Sequence, residues 1–429
     1  TALTGIVFGM VPVWRAGGDK DLDGLREGSR SGGGRKERLR SALVVAEIIA
    51  SIVLLVASGL LMRAMWRLQA TDPGFRVDHV LTMRTSLALP KYESTAKRVA
   101  FYDKVLADIR ALPSVSNAAY TSFAPIVMGG GIWPVSVNGQ PEALTEEHTA
   151  SLRYVTPGFF DTLGIPLRQG RNLSESDTAD RLFVAVVSES FVTQFLPGQN
   201  PIGRHFMFAF SERTVVGVAS NIRVRGLEIP SEPQVYLPYK QVGDGNIIGY
   251  IPKDLIIHAS LDAGALMPAV RAIIRRADPE QPTSNVRTMA EIVNGQTASR
   301  SVQLRVLGAF AIVAFFLAAV GIHGLLSFAV SQRAQEIGVR IALGAQRSDI
   351  LSMVMRRGVL LAAAGVIPGV ALAYAAGRTM EALLAGVQPG DAATFLSVIV
   401  LAVVMTLAGS LLPTIRALRV DPITAIRAE

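Results

Sequence analysis

The sequence predicts a membrane protein: four transmembrane α-helices per unit, with a large α+β extracytoplasmic domain between helices 1 and 2. Three observations carry this reading. Half of the 429 residues are apolar and the mean hydropathy is positive. The apolar residues gather into blocks long enough to cross about 30 Å of hydrocarbon as helices. Between the first two blocks lies a long stretch of ordinary mixed polarity, broken by Pro and Gly.

The four blocks are Ser41 to Met62, Val306 to Val330, Val359 to Gly377 and Ala392 to Ile415. The first holds one charged residue, Glu47, and the second only His323, while the last two hold neither kind. Pro368 is expected to kink the third span, and Gly365 and Gly369 to let a neighbouring helix approach closely.

The +8 formal charge is distributed as topology. Residues 15–40, 331–357 and 416–429 together hold 16 Lys/Arg against 9 Asp/Glu, whereas 68–297 holds 21 against 22. Reading the positive segments as cytoplasmic places the large domain outside and the C-terminus inside, with no call for nucleic acid. Arg63 and Arg67 are exceptions just past the first span, where long basic side chains can snorkel to headgroup phosphates.

The first residues are expected to be the tail of a preceding unit. Val11-Pro-Val-Trp-Arg-Ala16 compares with Leu412-Pro-Thr-Ile-Arg-Ala417, and Arg26 with Arg427. Either duplication or shared membrane-exit chemistry accounts for this. On the first account residues 1–28 end an upstream copy, 29–40 form a basic cytoplasmic linker, and 41–429 are one further copy.

The outer segment, residues 63–303, shows strand patterns at Val80 to Thr85, Val115 to Thr121, Phe183 to Val187, Arg213 to Ala219 and Leu255 to Ser260. Helical periods occupy Ala100 to Leu112 and Leu266 to Ala277. The chain has no cysteine, so this domain must hold by its own core, and thiol catalysis and Cys-based zinc sites are excluded. The histidines at 79, 148, 205, 258 and 323 are never at metal-ligand spacing. Met128-Gly-Gly-Gly131 lacks the Lys-Ser/Thr of a phosphate loop, and no Gly-Lys pair occurs in these residues. Glu146 with Glu147, and Asp177 with Asp180, lie in polar stretches that read as solvated loops rather than acid/base pairs. Nothing here argues for an enzyme, a cofactor or a metal.

Between the second and third spans, Ser331 to Ile350 is expected to form a charged amphipathic helix. Arg333, Glu336, Arg340 and Arg347 share one face and Ala334, Ile337 and Ile341 another, with Glu336 four residues before Arg340 in the favourable order for an ion pair. Two readings stand: a docking lever for a partner, or a segment lying on anionic headgroups. Within the spans, Glu47 and His323 lie at similar depth, about 9–11 Å below the cytoplasmic boundary at ~1.5 Å per residue. Either they meet, or each is satisfied separately by backbone, water or snorkelling.

Glu336-Ile-Gly-Val-Arg340, followed by Ala342-Leu-Gly-Ala345 and the start at Asp349, resembles the FtsX-like permease domain of MacB-type ABC transporters. In the outer segment, Tyr154-Val-Thr-Pro-Gly-Phe-Phe-Asp-Thr-Leu-Gly-Ile-Pro166, Leu196-Pro-Gly-Gln-Asn-Pro-Ile-Gly-Arg204 and Asp278-Pro-Glu-Gln-Pro282 resemble the MacB-like periplasmic core domain. The suspected tandem further resembles the duplicated orphan permeases of that superfamily.

The resemblance implies a core domain at 63–303 and a permease domain at 304–429. It implies a bacterial inner-membrane permease subunit that binds no ATP itself and is driven by a separate cytoplasmic ABC ATPase dimer. A second permease half, in the same polypeptide or as a homodimer, membrane lipid and an envelope protein are the other partners it suggests. Arg333, Glu336, Ile337, Gly338, Arg340, Leu343 and Gly344 fall at the ATPase-coupling helix, transmitting closure to the outer domain for export or mechanotransmission. The alternative from another branch is an envelope receptor or regulator of the cell-division or lipoprotein-release type, without translocation.

Overall fold

A computed structural model describes residues 32–88, 90–127, 131–137, 148–244, 250–333, 336–337, 339–340, 343, 345–381, 384 and 386–418. The expected tail of a preceding unit at 1–28 lies outside the described residues, as do Met128 to Gly130, Glu146 and Glu147. The chain divides into two compact units, residues 1–64 with 303–429 and residues 65–302.

The first unit is helical. Its long elements are α1 (Gly32–Gln69), and, further along the chain, helices that are numbered here in order: α6 (Met289–Gln332), α7 (Arg347–Thr379) and α8 (Ala392–Leu418). All four are long and apolar enough to cross a membrane. Each expected span lies inside one of them, but α1, α6 and α7 run well past the apolar limits. A helix ends where capping or backbone geometry ends its hydrogen-bond ladder, and the edge of the hydrocarbon imposes neither.

Packing in this unit follows from side-chain size. Val44, Ile48, Ile52, Val56, Leu60 and Ala64 recur every fourth residue on α1 and are all buried. They form a ridge that meets a groove of small residues on α7. A Cβ on Gly365 would stand 2.7 Å from the Ile48 Cβ, one on Gly369 3.2 Å from that of Ile52, and one on Gly377 3.4 Å from Leu60 Cδ1. Numbering rises together along both helices, so α1 and α7 run parallel. The close approach expected of Gly365 and Gly369 is therefore present, and α1 is the neighbour. Pro368 lies inside α7 between them.

The second unit is α+β. Its strands are β1 (Val80–Arg84), β2 (Val115–Thr121), β3 (Ile132–Val137), β4 (Thr149–Val155), β5 (Leu167–Gly170), β6 (Val184–Ser188), β7 (His205–Phe208), β8 (Ser211–Ala219), β9 (Gln234–Pro238), β10 (Asp254–Ala259) and β11 (Ser284–Thr288). Helices α2 (Thr95–Arg110), α3 (Phe159–Leu163), α4 (Glu189–Phe195) and α5 (Ala263–Ala277) complete it.

Two subdomains follow from the pairing. β11, β1, β10 and β2 form an antiparallel layer. Alternate residues such as Met83, Tyr120, Leu255 and Ile257 face Tyr102 and Val105 of α2 and Val270 and Ile274 of α5. The remaining path β4-β3-β7-β8-β6-β9 closes on itself, because β9 pairs in parallel with β4. Val135, Leu152, Val187, Phe206, Val215 and Val235, one from each of these six strands, share its buried core. Thr121 pairs with Val155 where the layer joins this ring.

Candidate functional site

The segment between α6 and α7 folds as an elbow rather than as the continuous helix expected over 331–350. Residues 331–332 complete α6, a helical stretch includes 336–337 and 339–340, and a turn lies at Leu343. α7 then starts at Arg347, twelve residues before the expected third span. The physical reason lies at Gln346, whose extended backbone breaks the ladder. Its N–H donates to Asp349 Oδ2 at 3.0 Å, so the Asp349 carboxylate stands in the positive first turn of α7. Arg347, Asp349 and Ile350 therefore belong to the first turn of α7, the helix that carries the third span.

Ile337 anchors the elbow. It is 1% exposed and packs with Ile350, Val354 and Val330, beside a narrow cleft of about 30 Å³ that Leu326, Met353 and Arg357 also line. Ile337 thus turns inward against the flanking helices rather than outward. The outward surface carries Arg333, Glu336, Val339, Arg340 and Leu343, and Leu343 is 83% exposed. The expected Glu336–Arg340 ion pair forms at 2.6 Å between half-exposed side chains. At an exposed i,i+4 position it is worth only a few tenths of a kcal/mol, so it orients the two groups more than it stabilises the fold. Gly338 and Gly344, with Ala334 and Ile341, lie outside the described residues.

Glu47 and His323 do not meet. Glu47 Oε2 instead lies 2.7 Å from where a Cβ on Gly321 would stand, and no hydrogen bond or ion pair joins Glu47 to His323. The reason is angular: positions 321 and 323 lie about 200° apart around α6, so equal depth does not place both side chains toward α1.

Arg63 has a partner within the protein. It donates to Asp391, whose Oδ2 also accepts from the Thr394 N–H at 2.9 Å and its hydroxyl at 2.7 Å. One carboxylate thus caps α8 and ties it to the outer end of α1. The sequence signal for this was Asp391 three residues before Thr394 at a helix start, which marks a cap but does not identify the arginine that joins it.

Asp177, expected in a solvated loop, is instead buried at 5% exposure. Asp177 is bidentate with Arg171 at 2.8 and 2.9 Å and accepts from the Ser174 N–H. Burial pushes its carboxyl up, but Arg171 and Ser174 outweigh this and hold it below the usual range. Its bonds to Arg171 and Ser174 pin the turn. Among the described residues no group of three or more His, Asp or Glu is placed to hold a metal ion.

The whole defines a class: a multi-pass membrane protein with an extracytoplasmic α+β domain inserted after its first span and a clamped elbow between its second and third. Residues 41–277 match the MacB-like periplasmic core domain and residues 308–422 the FtsX-like permease C-terminal region. The chain belongs to the MacB/FtsX-like permease family.

The pyoverdine export ATP-binding/permease protein PvdT of Pseudomonas putida is 24% identical over 271 residues, covering 62% of this chain and 41% of that protein. The macrolide export ATP-binding/permease protein MacB of Acinetobacter baylyi is 25% identical over 294 residues, covering 66% and 43%. The chain thus spans less than half the length of these relatives. The crystal structure of the periplasmic region of MacB from Actinobacillus actinomycetemcomitans aligns with 53% of this chain and 97% of its own, at 16% identity and a TM-score of 0.37.

Proposed function

We propose that this chain is the permease subunit of an ABC exporter in the bacterial inner membrane, with its C-terminus cytoplasmic. A separate cytoplasmic ATPase dimer docks on the elbow, and its closure moves the outer domain. ATP binding and hydrolysis belong to that dimer, and a second transmembrane half completes the assembly. The observation that carries the reading is the elbow itself: Leu343 is almost fully exposed beside Arg333, Glu336 and Arg340, while Ile337 is clamped beneath. An apolar knob among charges of fixed position suits a protein socket, since the apolar contact supplies affinity and the charges supply register.

The export roles in the names of the relatives favour transport over an envelope receptor that moves nothing across the membrane. The test is co-purification with a cytoplasmic ABC ATPase, followed by its hydrolysis rate in reconstituted liposomes. Leu343→Asp should abolish capture, and Glu336→Arg should lower the permease-dependent rate tenfold or more. Capture and rates equal to wild type in both variants would leave the elbow as a segment that merely lies on lipid.

A further inference from the structure

α7 and α8 pack together at Gly358, where a Cβ would stand 3.7 Å from that of Ser410. Beside this contact they part, leaving a groove of about 280 Å³. On α7 its wall is Val359, Ala362, Ala363, Val366 and Ile367, spaced three and four apart on one helix face. On α8 it is Ala402, Val403, Thr406 and Leu407. The small side chains of Ala362, Ala363 and Ala402 give the groove its depth. Its rim, Val359, Ile367, Val403 and Leu407, is 50% to 71% exposed, so the groove opens sideways from the two helices.

No polar atom reaches the surface of this groove. The Thr406 hydroxyl donates to the Ala402 carbonyl at 2.8 Å, and that of Ser410 to the Thr406 carbonyl at 2.7 Å, so α8 satisfies its hydroxyls on its own backbone. Water gains no partner in such a space, and a dry void forfeits the contacts of its walls. Both helices are long and apolar enough to cross a membrane, which makes a methylene chain the occupant at hand. Seated between two helices, it touches protein on both sides.

Charge selects the lipid. Arg356 lies three residues before Val359, so it continues the same face of α7 one turn nearer the elbow, about 4.5 Å along the axis. It is exposed and has no hydrogen bond or ion pair to a described residue. Asp349, the one carboxylate in the α7 sequence, is engaged with Gln346. A guanidinium at the edge of an apolar span reaches lipid phosphate, and it favours a headgroup whose negative charge no amine cancels. We propose that the groove holds one acyl chain of an anionic phospholipid from the leaflet on the elbow side, with the lipid phosphate on Arg356. The bound chain holds α7, which begins at the elbow, against α8. The proposal needs the spans but not the permease reading, since no ATPase enters it.

The test reconstitutes the full chain in phosphatidylcholine nanodiscs with a trace of phosphatidylglycerol carrying a photoreactive diazirine on its acyl chain. Labelled peptides are then identified by mass spectrometry. Labelling at 359–367 and 402–407 should exceed that around the exposed Phe316 and Leu396 at least tenfold. It should also exceed that from the matching phosphatidylcholine probe about fivefold, the preference one basic residue confers near an anionic surface. Arg356→Gln should make the two probes equal, and Arg356→Lys should keep the preference. Ala363→Phe, which fills the groove, should cut labelling there about tenfold and leave it unchanged around Phe316. Even labelling of all four helices, or equal labelling by both probes in wild type, overturns the proposal.

The competing occupant is protein, a helix of another copy laid over the groove. The chain has no cysteine, so Ile367→Cys at the rim reports on it directly. Oxidised membranes should yield monomer. A disulfide-linked dimer would put protein where the acyl chain is placed, and would overturn the proposal whatever the labelling shows. Co-purification of an ATPase is scored on the same wild-type sample: its failure with groove labelling intact sinks the permease reading alone, and the reverse sinks the lipid site alone.

Discussion

The helical unit and the outer domain are held together by different means. In the outer domain large side chains fill the space between elements: Tyr102 lies 4.9 Å from Tyr120, and Phe191 5.0 Å from Phe206, centroid to centroid. The ring even encloses Arg153 and Arg213, each fully buried, satisfied in part by the Gln234 and Gln241 side chains at 3.2 and 3.3 Å. Burial pushes the pKa of both guanidinium groups down. In the helical unit stability comes from what is missing, the side chains of Gly365, Gly369 and Gly377, which let an aliphatic ridge approach a helix backbone. Lipid tails are as apolar as isoleucine, so between spans close van der Waals fit replaces the hydrophobic effect that assembles the outer domain.

The largest expected effect comes from emptying the outer core. Phe206 is 3% exposed and touches Phe191 and Phe208, so Phe206→Ala should cost about 3–5 kcal/mol through lost transfer energy and a residual cavity. Hydrogen exchange should accelerate in peptides from β6, β7 and β8 while α1 and α7 keep their protection. Uniform acceleration in both units would mean that they do not differ as described.

The converse change belongs in the helical unit. Gly365→Val should cost about 1–3 kcal/mol by overpacking, because a Cβ there meets Ile48 Cγ2 at 2.5 Å. Gly308→Val, at a position with no atom within 4 Å, is the matched control on α6 and should be silent. Thermal unfolding in detergent, compared between the two variants, checks the pair. Equal losses would remove close approach as the cause.

What could be read from the sequence divides along the same line. The four spans were legible because hydrocarbon thickness imposes length and polarity together, and β6, β8 and β10 because buried strands read as runs such as Val184-Ala-Val-Val187. β7 was not legible: its hairpin to β8 turns through Ala209 and Phe210, at φ of 51° and 63°, where no Asn-Gly or Gly-containing turn announces it. The closure of the ring depends on β9 pairing with β4 some eighty residues away, and no local pattern encodes that. In the elbow, the Glu336–Arg340 pair was legible from spacing alone. Which of Ile337, Val339 and Leu343 faces inward was not, because that choice is made by Val330, Ile350 and Val354 on the flanking helices.

The smallest expected effect lies at the outer end of the bundle, where the helical unit uses charge instead of fit. Arg63 and Asp391 are 44% and 21% exposed, so their ion pair should contribute less than about 1 kcal/mol and fade in high salt. Arg63→Met removes the pair and leaves the cap on Thr394, whereas Asp391→Ala removes both and should cost about 1 kcal/mol more. Burial pushes the Asp391 carboxyl up, but its bonds to Thr394 and Arg63 outweigh this and hold it below the usual range. A folded pKa below the unfolded value of about 3.9 gives stabilisation that is complete above that pH and lost as pH falls through the lower folded value. Between about pH 5 and pH 2, wild type should therefore lose more stability than Asp391→Asn, whose amide still caps α8 but does not titrate. Parallel pH profiles for the two proteins would show that Asp391 contributes through its shape alone, and would return the outer end of the bundle to the same uncharged fit that governs the rest of it.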